Sequence, residues 1–303
     1  MRKVFSDSIE KAALLDDKII FITGDLGFNA FENLQKLLGN RFINAVVAEQ
    51  NMVGMAAGMA YKGFKVFCYS IAPFVVYRCL EQMRNDVCFH KLPVFLVGNG
   101  GGYGYGIMGS SHHALSDIAC LASLPNINCW VPAYTEDVNF CISSIINDGK
   151  PAYLRLGSDV KEPENTMIEG NFKNSIHNEN SKVSLVCLGP IVQNVLNVIS
   201  KNNLQNKCDV FTSFKLPINK LPNNLLKSIS QTKKLIVIEE HVGIGGIGQQ
   251  ISLEVLKNNI NLYQFYSLTA MNYPNELYGN QKFHQEQSGL DENNILSIIN
   301  KCI

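Results

Sequence analysis

Short apolar runs alternate with segments of helical periodicity from one end of this chain to the other. In the first half these runs are continuously apolar, as expected of strands that are buried on both faces. They lie at 19–23, 42–47, 65–71, 93–98, 127–131 and 152–156. Segments such as SDSIEKAALLDD and TEDVNFCISSIIND separate them with helical spacing. Strands joined in this way by helices predict an α/β fold with mostly parallel sheets and helices on both faces.

A polar segment divides this alternation into two halves. Residues 161–181 carry a proline and several asparagines without a sustained period, which is typical of a linker. The alternation resumes with KVSLVCLG and ends in a helix near 291–301. The 303 residues are enough for two cores. We therefore predict two doubly wound α/β domains, at 1–160 and 182–303, joined by a linker at 161–181.

Composition excludes several classes of function. Lysine plus arginine equals aspartate plus glutamate, at 26 each, so the net charge gives no reason to expect nucleic acid or an anionic membrane as partner. No stretch reaches the roughly 18 apolar residues of a membrane span, and the amino end lacks the apolar core of a signal peptide. The nine cysteines form no C-x-x-C pair. We expect them to be buried, reduced thiols in a cytoplasmic protein.

Two segments, 104–109 and 243–248, match the pattern G-x-G-x-x-G. A dinucleotide-binding fold also requires an acidic residue about 20 positions further on, in the next strand. The strand-like run after Gly248, NLYQFYSL, contains none, and neither segment carries the G-K-[ST] of a phosphate loop. These glycines therefore predict tight turns.

Glu49 lies where an apolar strand gives way to a helix rich in small residues, within VVAEQNMVGMAAGMAYKG. An ionisable group at the carboxyl end of a parallel strand is in the usual position for a site in this architecture. A glutamate in the first turn of a helix also interacts favourably with the helix dipole. The chemistry of the residue alone leaves both interpretations open.

The segment AEQNMVGMAAGMA resembles the pyrimidine-binding signature of the transketolase family of thiamine-diphosphate enzymes. That family includes deoxyxylulose-phosphate synthase and the β subunits of 2-oxo-acid dehydrogenases. Other segments match it in order, namely TGDLG, APFVVYRCLEQMRND, GSSHHALSDIA, PAYLRLG and KLIVIEEHVGIGGIGQQI. The resemblance covers nearly the whole chain. It implies a thiamine-diphosphate pyrimidine-binding fold followed by a transketolase C-terminal domain.

The resemblance also implies which residues hold the cofactor. Glu49 would hydrogen-bond the aminopyrimidine ring of thiamine diphosphate and act as the catalytic acid, since a positioned carboxyl can hold and return a proton. Asp25 aligns with an acid on the cofactor side, although an aspartate in TGDLG also suits a turn. Phe74 is the first candidate for the aromatic residue that stacks on the ring, and Tyr77 is the second. Counting without gaps places that position at Val75.

Substrate contacts follow from the same resemblance. Arg2, Asn29 and Arg155 fall where transketolases hold a sugar phosphate, and the planar guanidinium of arginine suits phosphate. His112 matches a catalytic histidine that orients a substrate oxygen. His113 is either a packed neighbour or half of a metal-binding pair. No third ligand is spaced nearby, so we expect no metal in this chain.

Two departures from the family pattern concern the acceptor sugar. Met108 replaces an aspartate expected beside the acceptor's hydroxyl groups, and Gly100 replaces a histidine expected near the phosphate. Both changes remove polar groups from the acceptor side while the cofactor side is kept. They predict an altered sugar acceptor.

The resemblance further implies a partner. The other half of the family's site binds Mg²⁺ and the diphosphate through a G-D-G motif, because Mg²⁺ prefers oxygen ligands. Here Gly24-Asp25 is followed by Leu26, and the chain begins directly with the pyrimidine-binding signature region. We therefore expect a separate, N-terminal transketolase-like subunit that carries Mg²⁺, in an α2β2 assembly.

The predicted activity is transfer of a two-carbon ketol unit from a ketose phosphate to an aldose or modified sugar, as the C-terminal subunit of a split enzyme. The alternatives are the β subunit of a 2-oxo-acid dehydrogenase and a non-catalytic homologue with a binding role. The histidine pair and the arginine of YLRLG favour a sugar phosphate. Retention of Glu49 argues against the non-catalytic alternative.

Overall fold

Two mostly parallel sheets organise the chain in the computed structural model, which describes residues 1–27 and 29–303. The strands of the first sheet's amino-terminal part are β1 (Ile19–Thr23), β2 (Phe42–Asn44), β3 (Lys65–Ile71), β4 (Val94–Asn99), β5 (Asn128–Trp130) and β6 (Ala152–Leu156). The accompanying helices are α1 (Arg2–Leu15), α2 (Glu32–Leu38), α3 (Glu49–Tyr61), α4 (Ala72–Tyr77), α5 (Leu80–Gln82), α6 (Asp117–Ala122) and α7 (Asp137–Asp148). The strands run parallel in the order β2-β1-β3-β4-β6-β5.

The second sheet is built from the carboxyl-terminal half. Its strands are β7 (Met167–Glu169), β8 (Phe172–Ile176), β9 (Val183–Leu188), β10 (Cys208–Ser213), β12 (Lys234–Glu239) and β13 (Gln264–Thr269), and the short β11 (Lys215–Leu216) leaves to join the first sheet. The helices of this half are α8 (Val192–Lys201), α9 (Asn223–Thr232), α10 (Ile247–Lys257), α11 (Gln281–Gln287) and α12 (Glu292–Cys302). The order is β7-β8-β10-β9-β12-β13, with β7 and β8 antiparallel to their neighbours. The predicted α/β class is confirmed.

The segment predicted as a linker contains two strands of this second sheet. Strands β7 and β8 lie within 161–181, so the prediction of a linker is wrong for 167–176. The reason is that β8 buries polar side chains, of which Lys173 is held by two carboxylates. Lys173 is only 6% exposed, and its ammonium donates to Glu162 at 2.6 Å and forms an ion pair with Asp137. Charged groups that are paired in this way are tolerated in a core. Because they interrupt the apolar pattern of the strand, apolar periodicity does not predict it.

The two halves share structure beyond their own sheets. Strand β11 pairs antiparallel with β5 and extends the first sheet to seven strands. One buried apolar cluster also includes Leu121 of the first half and Ile247 of the second. The halves are thus packed against one another, and the carboxyl ends of β4 and β6 face the second half across a cleft of about 970 Å³.

Other features agree with the sequence. All nine cysteines are unpaired and eight are buried, which confirms the prediction of buried thiols. None of the helices in 1–27 and 29–303 is long and apolar enough to cross a membrane. The segment APFVVYRCLEQMRND, which carries part of the family resemblance, folds as α4, α5 and a π-helical segment at Met83–Cys88.

Candidate active site

The carboxylate of Glu49 is buried at the end of the first sheet. Glu49 begins α3 and is only 2% exposed. Its Oε1 accepts a hydrogen bond from Ser70 of β3 at 2.9 Å, and its Oε2 accepts one from Arg78 at 2.7 Å. Both oxygens therefore bond side chains from other elements and not the amides of α3, so the geometry disfavours a helix cap as the role of Glu49.

A glycine shapes the space beside this carboxylate. A Cβ placed on Gly24, directly after β1, would lie 3.1 Å from the hydroxyl oxygen of Ser70 and 3.4 Å from Oε1 of Glu49. Because Gly24 has no side chain, the space next to Oε1 of Glu49 and the Ser70 hydroxyl is not filled by a Cβ atom. Asp25 follows in a turn with φ of 58° and accepts a hydrogen bond from Asn44 at 2.9 Å. It is exposed at the end of β1, consistent with both interpretations of this aspartate.

Phe74 lies against the same group of side chains. The guanidinium carbon of Arg78 is 4.0 Å from the centroid of the Phe74 ring, and the ring of His112 lies 5.0 Å from it at 64°. Val75, by contrast, is fully buried in the core and cannot present its side chain to a ligand. The geometry therefore favours Phe74 over Val75 as the stacking residue. Arg78 lies within a motif that indicated the family, but the sequence did not predict it as a site residue.

Tyr77 is held differently. Its hydroxyl shares a hydrogen bond with the Ser116 hydroxyl and accepts one from the Ser116 amide, both at 3.1 Å. Burial raises the pKa of Tyr77. Within the described part of the chain, no hydrogen bond or ring contact joins Tyr77 to Glu49 or Phe74. Its assignment to the cofactor stays a prediction.

The two neighbouring histidines differ in environment. His112 is half-buried, its Nδ1 is 2.9 Å from the Ser111 hydroxyl, and its ring meets Phe74. His113 is 3% exposed, and its Nε2 donates to the Gly106 carbonyl at 2.8 Å while its Nδ1 accepts from the Tyr273 hydroxyl at 2.8 Å. Burial lowers the pKa of His113 to about 4, so its ring is neutral. Of the two interpretations of His113, a packed neighbour or half of a metal-binding pair, the geometry favours the packed neighbour.

The structure does not bring the three predicted phosphate-binding residues into one pocket. Arg155 is 5% exposed and donates through Nη2 to the carbonyls of Ala114 at 2.7 Å and Glu240 at 3.0 Å. Its Nε lies 3.2 Å from Oδ2 of Asp117. Arg155 borders the large cleft between the halves, whereas Arg2 and Asn29 line a separate pocket of about 390 Å³. The contacts favour a structural role for Arg155, and its phosphate role stays a prediction.

The substituted positions of the glycine-rich loop have physical explanations. Gly100 has a φ of +73°, and a Cβ there would lie 2.3 Å from the ring of Tyr105. A side chain at position 100 is therefore excluded by Tyr105, whose hydroxyl accepts a hydrogen bond from Asn99 at 2.9 Å. Met108 is 52% exposed on the turn that follows, in agreement with a less polar surface on this side.

The second glycine motif, 243–248, donates hydrogen bonds from its main-chain amides to a carboxylate of the same chain. Glu239 is fully buried and accepts hydrogen bonds from the amides of Ile247 at 2.8 Å and Gly248 at 3.0 Å, at the start of α10. A pyrophosphate would occupy this position in a dinucleotide-binding fold. The side chain of Glu239 thus supports the interpretation of 243–248 as turn residues.

Comparison with known proteins identifies the family. Residues 1–159 match the family described as "Transketolase, pyrimidine binding domain", and residues 173–295 match "Transketolase, C-terminal domain". The chain belongs to the transketolase family. The resemblance recognised from the sequence motifs is confirmed, and membership of this family implies thiamine diphosphate as the cofactor.

Relatives and solved structures extend the likeness over nearly the whole chain. One of the subunits of the apulose-4-phosphate transketolase of Phocaeicola vulgatus is 29% identical, across 85% of this chain and 84% of its own length. The 1-deoxy-D-xylulose-5-phosphate synthase of Clostridium tetani is 26% identical across 99% of this chain but only 48% of its own length. The structure described as "Split gene transketolase, inactive beta4 tetramer" has a TM-score of 0.82 at 25% identity, covering 99% of this chain and 97% of that one. A transketolase from Campylobacter jejuni shares the fold, with a TM-score of 0.77 at 16% identity, covering 99% of this chain and 46% of its own.

The residues around Glu49 fit the pyrimidine end of such a cofactor. The guanidinium of Arg78 contacts both the buried carboxylate of Glu49 and the ring of Phe74, the two groups that would hydrogen-bond and stack on a pyrimidine. We call the position of this guanidinium, against Glu49 and Phe74, the pyrimidine slot. Ser70 donates to one oxygen of Glu49, and Arg78 donates to the other.

Proposed function

We propose that this chain is the pyrimidine-binding subunit of a split, thiamine-diphosphate-dependent transketolase-like enzyme. Its reaction would move a two-carbon ketol unit from a ketose phosphate to an aldose or modified sugar. The observation that carries the proposal is the buried carboxylate of Glu49, held by Ser70 and Arg78 at the end of the first sheet. An ionisable group in this position belongs to chemistry more than to folding, since it costs stability to bury.

Each residue of the site has a role in this proposal. When bound, thiamine diphosphate supplies the carbanion chemistry, and the protein supplies geometry and polarity. Glu49 holds and returns a proton at the pyrimidine ring nitrogen, and Ser70 keeps its carboxylate oriented. Phe74 supports the ring by stacking. His112, in contact with Phe74, orients an oxygen of the substrate.

The proposal assigns the diphosphate and Mg²⁺ to a partner, an N-terminal transketolase-like subunit, in an α2β2 assembly. Two observations support it. The chain lacks the G-D-G motif, and the proteins it resembles include single subunits of apulose-4-phosphate transketolases and a split-gene transketolase. Since most of the anchoring charge of the cofactor is on the diphosphate, we expect the chain alone to bind it weakly and to be inactive.

A sugar phosphate is the proposed substrate class. Relatives from two organisms are named for apulose 4-phosphate, and the exposed Met108 leaves the acceptor side less polar than an aspartate would. The alternatives are a 2-oxo-acid dehydrogenase β subunit and a non-catalytic homologue. A panel of sugar acceptors and 2-oxo acids, assayed with the partner present, separates the three, because each alternative predicts turnover of a different class or of none.

The catalytic assignment is tested by Glu49→Gln. Glutamine keeps the shape and the hydrogen bond with Ser70 but cannot exchange a proton. We expect hydrogen–deuterium exchange at the thiazolium carbon of thiamine diphosphate to slow about a hundredfold or more in the assembled enzyme. Glu81→Gln is the matched control, because Glu81 is an exposed glutamate whose hydrogen bonds, among the described residues, go only to its neighbours Arg84 and Asn85. Normal exchange in Glu49→Gln would remove Glu49 from the chemistry.

A further inference from the structure

One guanidinium contacts both groups that would receive the pyrimidine ring. Nη1 of Arg78 donates to Oε2 of Glu49 at 2.7 Å, which is the carboxylate oxygen that Ser70 leaves free. The guanidinium carbon of the same side chain lies 4.0 Å from the centroid of the Phe74 ring. A planar, delocalised cation stacks on an aromatic face at this distance much as a heteroaromatic ring would.

Arg78 is placed so that it can leave. Its side chain is 43% exposed, whereas Glu49 is 2% exposed. In the described residues, Glu49 is its one hydrogen-bonding partner, and the residue lies at the carboxyl end of α4. The guanidinium can turn toward solvent, where water replaces its hydrogen bond. The carboxylate of Glu49 stays buried, so its Oε2 needs another hydrogen-bond donor when Arg78 leaves.

Building on the proposed function, we propose that Arg78 is a placeholder that fills the pyrimidine slot of the free chain. In that state it compensates the buried charge of Glu49 and covers Phe74. A pyrimidine ring that hydrogen-bonds Glu49 and stacks on Phe74 must displace it. Arg78 is thus a positioning residue whose departure accompanies cofactor binding, and the slot is closed until a competing ring arrives.

The inference predicts that truncating Arg78 improves binding. The affinity of a ligand that binds only one conformation is reduced by the fraction of protein in that conformation. We expect Arg78→Ala to bind thiamine, which carries the ring but no diphosphate, about three- to tenfold more tightly than the unmodified chain. A residue that merely holds the fold, or one that grips the cofactor, would weaken binding on truncation.

Two controls isolate the displacement from a change in charge. Arg84→Ala removes an arginine from an exposed pair with Glu81, and we expect no change in thiamine affinity. Thiamine is a cation, so removing the positive charge of Arg78 favours its binding by electrostatics alone. The neutral 4-amino-5-hydroxymethyl-2-methylpyrimidine, titrated at mildly alkaline pH, does not feel this effect. Arg78→Ala should improve binding of this neutral ring as well. Arg78→Gln provides a second variant that keeps hydrogen-bonding capacity without the planar cation.

The measurement is ligand-detected NMR or calorimetric titration of the full-length chain. Unchanged or weaker binding of both rings in Arg78→Ala and Arg78→Gln overturns the inference, as does improvement for thiamine alone. Failure of every variant to bind either ring also overturns it, because opening the slot would then have no consequence. None of these outcomes decides the proposed function, which depends on deuterium exchange in the assembled enzyme with Glu49→Gln.

Discussion

Replacement of Arg155 separates a structural role from a role in substrate binding. The guanidinium is buried between a carboxylate and two main-chain carbonyls, with Asp117 at 3.2 Å, Ala114 at 2.7 Å and Glu240 at 3.0 Å. These partners come from α6, from the loop before it and from the end of β12, so Arg155 ties the two halves together. Arg155→Met keeps much of the apolar volume and removes all of these donors.

The magnitude follows from what remains after the change. Asp117 is fully buried and would keep only the hydrogen bond from the Tyr153 hydroxyl, at 2.6 Å. Removing one partner of a buried pair typically costs about 3–5 kcal/mol, because the remaining charge is uncompensated. The two carbonyls border the cleft and can accept water, so we add little for them and expect a loss of about 4 kcal/mol in the free energy of unfolding.

The assay is urea unfolding followed by the fluorescence of Trp130, the single tryptophan, which packs on Phe214 with ring centroids 6.3 Å apart. Arg41→Met is the matched control, since Arg41 donates to carbonyls without a carboxylate partner, and we expect about 1–2 kcal/mol there. Adding Asp117→Asn to Arg155→Met should recover a large part of the loss. A stability change below about 1 kcal/mol, with a clear rise in KM for the sugar phosphate, would refute this reasoning and favour the phosphate role.

Two further predictions concern buried carboxylates of the second half. Burial raises the pKa of Glu239 to about 7, from an ordinary value of 4.5, so the folded state keeps a proton that the unfolded state releases between those pH values. The free energy of unfolding should therefore fall by about 3 kcal/mol as pH rises through this window. In Glu239→Gln the urea midpoint should depend less on pH over the same range. Parallel pH profiles for the variant and the unmodified chain would contradict a raised pKa for Glu239. Gly102→Ala would place a Cβ 2.3 Å from Oε1 of Glu240 at a φ of +64°. Gly170 has a similar φ of +61° but open space around it, so Gly170→Ala should lower the free energy of unfolding by about 1–2 kcal/mol and Gly102→Ala by clearly more. Equal losses in the two variants would show that Glu240 moves aside freely.

Apolar periodicity predicted the strands that have continuous apolar sequence and missed β7, β8 and β11. The runs at 19–23, 65–71 and 152–156 are β1, β3 and β6 with identical bounds, because these strands are buried on both faces and need continuous apolar sequence. Strand β11 has two residues, and β8 holds an ion-paired lysine, so neither has the periodicity on which the prediction depends. Helix α11 was also missed. Its sequence, QKFHQEQ, has a single apolar residue, and an Asn280 cap together with the buried His284 stabilises it.

The sequence indicated a candidate site residue where a residue type has one common use, and it gave no such indication where a residue type has several. A glutamate after an apolar strand, within a family signature, indicated Glu49. An arginine on an amphipathic helix is most often solvated, so nothing in the sequence near Arg78 showed that it would meet Glu49, 29 positions earlier. In the same way, the sequence did not show that Asp117, which lies on another element, would form an ion pair with the guanidinium of Arg155. The prediction that Arg155 binds phosphate could not take this pairing into account.

Within the described residues, no hydrogen bond or ring contact joins Glu49 or Phe74 to a side chain of the second half, yet that half holds the loop that places His112. The amide of Tyr103 donates to the Glu240 carboxylate at 2.6 Å, and the ring of His113 is fixed by the Tyr273 hydroxyl at 2.8 Å. These two contacts lie on either side of the turn that carries Met108, and His112 is adjacent to the second. Because burial keeps His113 neutral, its ring accepts from Tyr273 and donates to the carbonyl of Gly106 at the same time, which fixes both ends of the turn. The geometry of the turn that carries Met108 and of the adjacent His112 is therefore set by packing between the halves, and this gives the second half a physical reason to accompany the first.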